Sequence, residues 1–111
     1  MTIQSTVTER ATILRMEGRM DAESYTAFDD AFTQAKANGA LNIVTDLSGL
    51  VYISSAGVGA LVKALKLLQA AQGEILLSGV KGLVRDVLTL TRIIELFRVF
   101  DTVEAALVAV R

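Results

Sequence analysis

The chain has 111 residues, a hydrophobic fraction of 52% and a charged fraction of 21%, which exclude a disordered protein and fit a single domain over residues 1–111. Eleven basic and twelve acidic residues leave a net charge of −1, and the basic residues are scattered, so nucleic acid is not an expected partner. Histidine and cysteine are absent, which removes imidazole bases, thiolate nucleophiles and Cys/His metal sites; we therefore expect no enzyme activity, no cofactor and no metal.

The first third of the chain predicts a hairpin followed by a helix. Residues 3–7 and 11–17 alternate as two strands joined near Thr8–Arg10. The segment Gly18–Asp21 is expected to break the second strand, with Asp21 capping the next helix. That helix is expected to end at Asn38-Gly39. Its apolar stripe repeats at i, i+3, i+4 and i+7, through Phe28, Ala31, Phe32 and Ala35.

The middle of the chain predicts a buried strand and a long helix. Leu41–Thr45 is apolar enough for a central strand covered on both faces, and Asp46-Leu47-Ser48 is expected to end it. The helix is expected to begin at Ser54-Ser55 and to end at Gly73. Its predicted inward stripe consists of Ala60, Leu61, Ala64, Leu65, Leu68 and Ala71.

The last third predicts a strand at residues 74–80, a third helix around residues 83–88 and a short turn at residues 93–97. Asp101 and Glu104 have the spacing of a capping box before a final helix, whose expected inward residues are Val103, Leu107 and Val110. The predicted order is β-β-α-β-α-β-α-α. This order indicates an α/β fold with a mixed sheet of four to five strands and about four helices packed on it.

Ser54 and Ser55 fall where the second helix leaves backbone N–H groups without intrahelical partners. Short hydroxyl side chains are favoured there as caps, and a phosphate would meet a favourable anion environment. A cap with close packing of small residues is the simplest role for this stretch. Gly57-Val58-Gly59 superficially suggests a dinucleotide loop, but Val62 stands at the third glycine position. A small nucleotide-binding enzyme is therefore the weakest hypothesis.

Three stretches together resemble a known family. Asp46-Leu47-Ser48 followed by Ile53-Ser54-Ser55-Ala56-Gly57 resembles the signature of bacterial anti-sigma-factor antagonists, which are stand-alone members of the sulphate-transporter and anti-sigma-antagonist (STAS) domain family. Gly18–Asp21 and Asp101–Ala106 match the family in the same order. The resemblance implies the STAS fold, a protein-binding role and no catalysis of the domain's own.

The resemblance also implies a phosphorylation switch. In family members that act in sigma-factor control, the serine two residues before the glycine of this turn, here Ser55, is phosphorylated by a partner anti-sigma factor that is itself a serine kinase. The unphosphorylated antagonist binds that partner and frees the sigma factor, and a serine phosphatase resets the phosphorylated form. Ser54 stands where many members have an acidic residue, which makes it a second candidate acceptor. The implied partner-binding residues are Asp21, Asp46, Ser48, Ser54, Ser55, Ala56, Gly57, Val58 and Gly59.

The competing interpretation is a STAS subunit that regulates a membrane transport complex without phosphorylation, for example by docking on its ATPase. No uncharged apolar run approaches the roughly 18 residues that span a bilayer, so direct membrane insertion is not expected. The amino-terminal residues lack the basic segment and apolar core of an export signal. A cytoplasmic monomer is the expectation.

Overall fold

The computed structural model describes residues 1–111 and contains a five-stranded sheet in the order β1-β2-β3-β4-β5. Strand β1 pairs with β2 in the antiparallel sense, and the remaining neighbours are parallel. The predicted mixed sheet with helices packed on it is confirmed. The elements in chain order are β1 (Thr2–Val7), β2 (Thr12–Met20), α1 (Tyr25–Ala37), β3 (Asn42–Ile53), α2 (Ser55–Ala70), β4 (Glu74–Ser78), α3 (Gly82–Leu90), a 3₁₀ turn (Ile93–Leu96), β5 (Arg98–Phe100) and α4 (Val103–Ala109).

The helices divide between the two faces of the sheet. Helices α1, α2 and α3 cover one face, where a cluster of 21 buried residues includes Phe28, Leu61 and Val84. Helix α4 covers the other face, where Ala106 is fully buried in a cluster of six residues. The central strands are thus buried on both sides, as the apolar run before Asp46 predicts.

The central strand β3 is much longer than predicted. It does not end at Asp46-Leu47-Ser48 but continues to Ile53. The nine residues 12–20 of β2 lie opposite the eleven residues 43–53 of β3, because two register shifts each add one residue to β3. Each bulge resets which side chain faces the core, so three residues spaced three apart all point inward: Leu47, Leu50 and Ile53.

Three predicted boundaries are wrong, and one short strand was not predicted. Gly18 does not break β2: it has a φ of +100° and stays in the strand beside the second bulge. Ser24, and not Asp21, is the N-cap residue of α1. Thr102, and not Asp101, caps α4, and its side chain accepts a bond from the Ala105 N–H at 3.1 Å. The strand β5 was not predicted, since three residues are too few to show alternation.

Candidate functional site

The start of α2 is fixed to the carboxyl ends of β2 and β3. Ser54 has extended backbone angles, and its N–H donates to the Met20 carbonyl oxygen at 2.9 Å. Gly57 lies against the same carbonyl, because a Cβ at this position would lie 2.8 Å from Met20 O and 2.7 Å from Ile53 Cγ1. Only glycine allows this approach. The first turn of α2 is therefore held in place by the strands beneath it.

The two serines of this turn have different surroundings. Ser55 is exposed, whereas the Ser54 Oγ atom is buried and makes no hydrogen bond within the chain. Ser54 does not cap α2 with its side chain, so the first-turn N–H groups are not satisfied by it. Sequence reasoning could not separate these neighbours. Of the two hydroxyls, that of Ser55 is the one that solvent or another protein can reach.

Asp21 lies beside this turn, because it follows Met20, which pairs with Ile53 at the end of the sheet. Its Oδ1 atom accepts bonds from the Ser24 Oγ at 3.0 Å and from the Ser24 and Glu23 N–H groups at 3.1 Å. The bond from the Ser24 hydroxyl, followed by that from the Glu23 N–H, holds the pKa of Asp21 below its usual range. Asp21 is thus a fixed, ionised carboxylate next to the α2 start.

Arg19 and Tyr52 form a second pair near the turn that sequence reasoning missed. They lie opposite each other on β2 and β3, and the guanidinium carbon is 4.2 Å from the centre of the tyrosine ring. The Arg19 Nε is 3.8 Å from Asp21 Oδ2. Nearby on β3, the Val51 side chain is 65% exposed. The second bulge, which no sequence pattern announces, places Tyr52 opposite Arg19.

Asp46 and Ser48 do not join the serine turn, although both were expected at the partner-binding site. Seven positions of β3 separate Asp46 from Ile53, which is about 20 Å at a rise of 3.3 Å per residue. The two residues lie instead near Gly79 and the start of α4, on a shallow polar surface. No sequence pattern indicated that β3 continues between these two residues and the turn.

The Asp46 carboxylate is used within the fold, where it joins neighbouring strands. Its carboxylate accepts bonds from Arg15 Nε at 2.9 Å, from Ser48 Oγ at 2.7 Å and from the Ser48 N–H at 3.0 Å. Burial raises the pKa of Asp46, but the bonds from Arg15 and Ser48 outweigh it, and the net pKa lies below the usual range. The carboxylate ties β2 to β3 just before the first bulge, and its oxygens are occupied within the chain.

The remaining residues of the turn form a small, mostly apolar surface. Ala56 and Val58 are half-buried, and Val58 packs partly on the core. Gly59 is exposed, and a Cβ there would meet nothing within 4 Å. The residues that follow Ser55 are therefore small, and Gly59 leaves open space beside them. No helix of the structure combines the length and the apolar character needed to cross a bilayer.

Comparison with known proteins identifies the family. Residues 2–106 match the model of the STAS domain. BtrV of Bordetella bronchiseptica, named as a candidate anti-sigma factor antagonist, is 38% identical over 71 residues; the match covers 64% of this chain and 61% of that protein, so the chain spans less than two thirds of its relative.

Two solved structures share the fold. An anti-sigma factor antagonist from Mycobacterium paratuberculosis aligns with a TM-score of 0.89 at 23% identity, covering 99% of this chain and 93% of that one. The Bacillus cell fate determinant SpoIIAA in its phosphorylated form aligns with a TM-score of 0.76 at 23% identity, covering 99% and 100%. At these identities the similarity establishes the fold. Because the family model matches nearly the whole of this chain, the chain belongs to the STAS domain family.

Proposed function

We propose that the chain is an anti-sigma-factor antagonist that works by partner switching. The unphosphorylated form binds a serine-kinase anti-sigma factor and thereby releases the sigma factor. Phosphorylation of Ser55 by that kinase ends the binding, and a serine phosphatase restores it. The observation that carries the proposal is the exposed Ser55 hydroxyl at the first turn of a 16-residue helix whose start is anchored on the sheet.

Phosphoryl transfer requires only an acceptor hydroxyl from this domain. The Ser55 Oγ attacks the γ-phosphorus of ATP, an Oγ–P bond forms, the bond from the γ-phosphorus to the bridging oxygen breaks, and ADP leaves. The serine proton passes to a base supplied by the kinase, since this chain has no histidine and no carboxylate is bonded to Ser55. What the domain supplies is a rigid, accessible acceptor.

The fold is expected to tolerate the phosphate. Helix N-termini carry a partial positive charge and unpaired N–H groups, both of which favour an anion. The Ser54 side chain does not occupy those N–H groups. Phosphorylation therefore leaves the domain folded and changes its surface.

The partner interface is expected to fail for the opposite reason. A phosphate adds a charge of about −1.5 to −2 at neutral pH. A partner packed on Ala56, Val58 and Gly59 would have to desolvate this charge, which is costly unless the partner supplies new hydrogen bonds. The fixed carboxylate of Asp21 adds repulsion on the domain's own side. Binding is lost while the fold persists.

Burial argues against Ser54 as a second acceptor. Its Oγ atom is inaccessible, and reaching it requires the start of α2 to move away from Met20 O. We therefore assign Ser55 as the phosphate acceptor. The Ser54 hydroxyl is expected to remain unphosphorylated and buried below the first turn of α2.

The test is phosphate incorporation from labelled ATP by the cognate serine-kinase anti-sigma factor. We expect one phosphate per wild-type chain, none in Ser55→Ala and unchanged incorporation in Ser54→Ala, which serves as the matched control. Ser55→Asp should bind the kinase more weakly while its circular dichroism and melting temperature stay close to wild type. Incorporation that survives in Ser55→Ala contradicts the assignment.

Affinity capture separates the proposal from the transport interpretation. The proposal expects the unphosphorylated chain to retain a serine-kinase anti-sigma factor, and expects Ser55→Asp to release it. Recovery of a nucleotide-binding transporter subunit with equal yield from wild type and Ser55→Asp would favour a phosphorylation-independent regulator of transport and count against the switch.

A further inference from the structure

We propose that Arg19 is the cation that receives the phosphate on Ser55, by swinging from Asp21 to the phosphate group. The inference rests on the proposed phosphorylation of Ser55 and names the residue of this chain that accommodates it. Arg19 would then pair with the phosphate in the phosphorylated state and with Asp21 and Tyr52 in the unphosphorylated state.

Arg19 is the least tightly held arginine among the ion pairs of the chain. Its Nε lies 3.8 Å from Asp21 Oδ2, which is too long for a hydrogen bond. In the other three ion pairs the corresponding distances are 2.7–2.9 Å, and each is a hydrogen bond. The Arg19 side chain is 60% exposed and donates no hydrogen bond within the chain. Its guanidinium is free to take a better acceptor.

Asp21 cannot follow the phosphate or move away from it, because its Oδ1 is bound by the turn that leads into α1. A phosphate on Ser55 would thus face a fixed negative charge. The mobile partner of the pair is Arg19, which is held mainly by its contact with the Tyr52 ring. Exchange of Arg19 from a carboxylate to a phosphate replaces a loose contact by one that permits bidentate hydrogen bonds.

The distance is within reach. Arg19 lies opposite Tyr52, and Ser55 follows Tyr52 by three residues, so at most about 10 Å of chain separates the Tyr52 and Ser55 Cα atoms. The Arg19 guanidinium already points toward the end of the sheet, since it lies close to Asp21, the residue after Met20. A long arginine side chain and a phosphate on Ser55 are together able to span this separation.

The exchange strengthens the switch. In the unphosphorylated state Arg19 and Asp21 offer a partner a nearly balanced pair of charges. In the phosphorylated state the guanidinium is turned to the phosphate, and the Asp21 carboxylate is left without its cation. A partner that recognises the balanced pair therefore meets an unpaired carboxylate beside a phosphate instead.

Phosphoserine incorporated at position 55 by genetic encoding tests the pairing without any kinase. The second pKa of a phosphoserine is about 6, and a nearby cation lowers it. In a ³¹P NMR titration we expect this pKa to rise by about 0.3–0.7 units in Arg19→Gln relative to wild type, the size of an exposed ion pair. Arg19→Lys should lie in between.

Arg92→Gln is the matched control, because it removes the same charge from an exposed ion pair that follows α3. It should leave the phosphate pKa unchanged. Equal pKa values in wild type and Arg19→Gln would overturn the pairing, and so would an equal shift in Arg92→Gln, which would mean only a change in net charge. These results do not depend on whether the kinase chooses Ser55, so the pairing and the proposed function fail separately.

Discussion

Substitution of Gly57 and Gly59 by alanine should have opposite effects on stability, although only Val58 separates the two glycines and both lie in α2. An ideal Cβ at Gly57 would lie 2.8 Å from the Met20 carbonyl oxygen, 2.7 Å from Ile53 Cγ1 and 3.0 Å from Met20 Cγ. An ideal Cβ at Gly59 would have no atom within 4 Å. Comparing the two substitutions thus separates the cost of close packing from the gain in helix propensity.

The magnitudes follow from these surroundings. Alanine in place of glycine inside a helix gains about 1 kcal/mol, and Gly59→Ala should keep most of that gain. At Gly57 the same gain is opposed by overpacking, which typically costs about 1–3 kcal/mol. Moving α2 away also weakens the bond from the Ser54 N–H to Met20 O, worth about 1 kcal/mol. We expect Gly57→Ala to lose about 1–3 kcal/mol overall.

Thermal unfolding followed by circular dichroism measures both variants against wild type. For a chain of this length, 1 kcal/mol corresponds to a shift of about 4 °C in melting temperature. Gly59→Ala should melt a few degrees above wild type and Gly57→Ala several degrees below it. If the two variants gained equal stability, the close contact between the α2 start and the end of β2 would be refuted, and with it the account of how Ser55 is held.

Three further predictions follow from single contacts. Asp46→Asn should lose about 1–2 kcal/mol at pH 7, because it weakens the bond from Arg15. The pKa of Asp46 is lowered in the folded state, so its contribution is present above about pH 4 and is lost as the pH falls through the folded value; urea unfolding at pH 7 and at pH 3 should show the difference between variant and wild type shrinking. Ser54→Ala should be neutral or slightly stabilising in thermal unfolding, because its buried hydroxyl has no partner to lose. Thr102→Ala should cost about 1 kcal/mol by removing the cap bond to Ala105, and faster amide exchange confined to α4 would locate the loss.

Much of the fold was predictable because its helices repeat their apolar residues at helical spacing. Phe28, Phe32 and Ala35 are buried as the stripe of α1 predicts, and Ala60 to Leu68 are buried along α2. The outermost residue of that second stripe, Ala71, is exposed. Periodicity over four turns is a strong signal, and it fades at the ends of each element.

Strand β3 was predicted poorly for a physical reason. After Asp46 its inward residues are spaced by three instead of two, because each bulge shifts the alternation. Such spacing is typical of a loop or a helix. Gly49 is the one residue of this segment whose type fits the bulge, since a Cβ there would lie 2.9 Å from Met16 O at the first bulge. A single glycine is too common to signal a bulge by itself.

The candidate site was predicted in part. Sequence placed Ser55 and Asp21 at element ends, and the structure brings those ends together through the pairing of Met20 with Ile53. Sequence could not tell the exposed Ser55 hydroxyl from the buried Ser54 hydroxyl, because burial depends on the angle at which α2 leaves the sheet. For the same reason, Arg19 shows no sequence sign of lying beside Asp21 and Tyr52.

The bond between the Ser54 N–H and the Met20 carbonyl joins two segments that are more than thirty residues apart in the chain. A recognition surface that combines Asp21 with Ser55 is therefore a discontinuous epitope. A synthetic peptide copied from residues 50–62 would carry the serine but neither the carboxylate nor the fixed helix start. An enzyme that reads both segments would ignore such a peptide, and would equally ignore this chain while it is newly made and still unfolded.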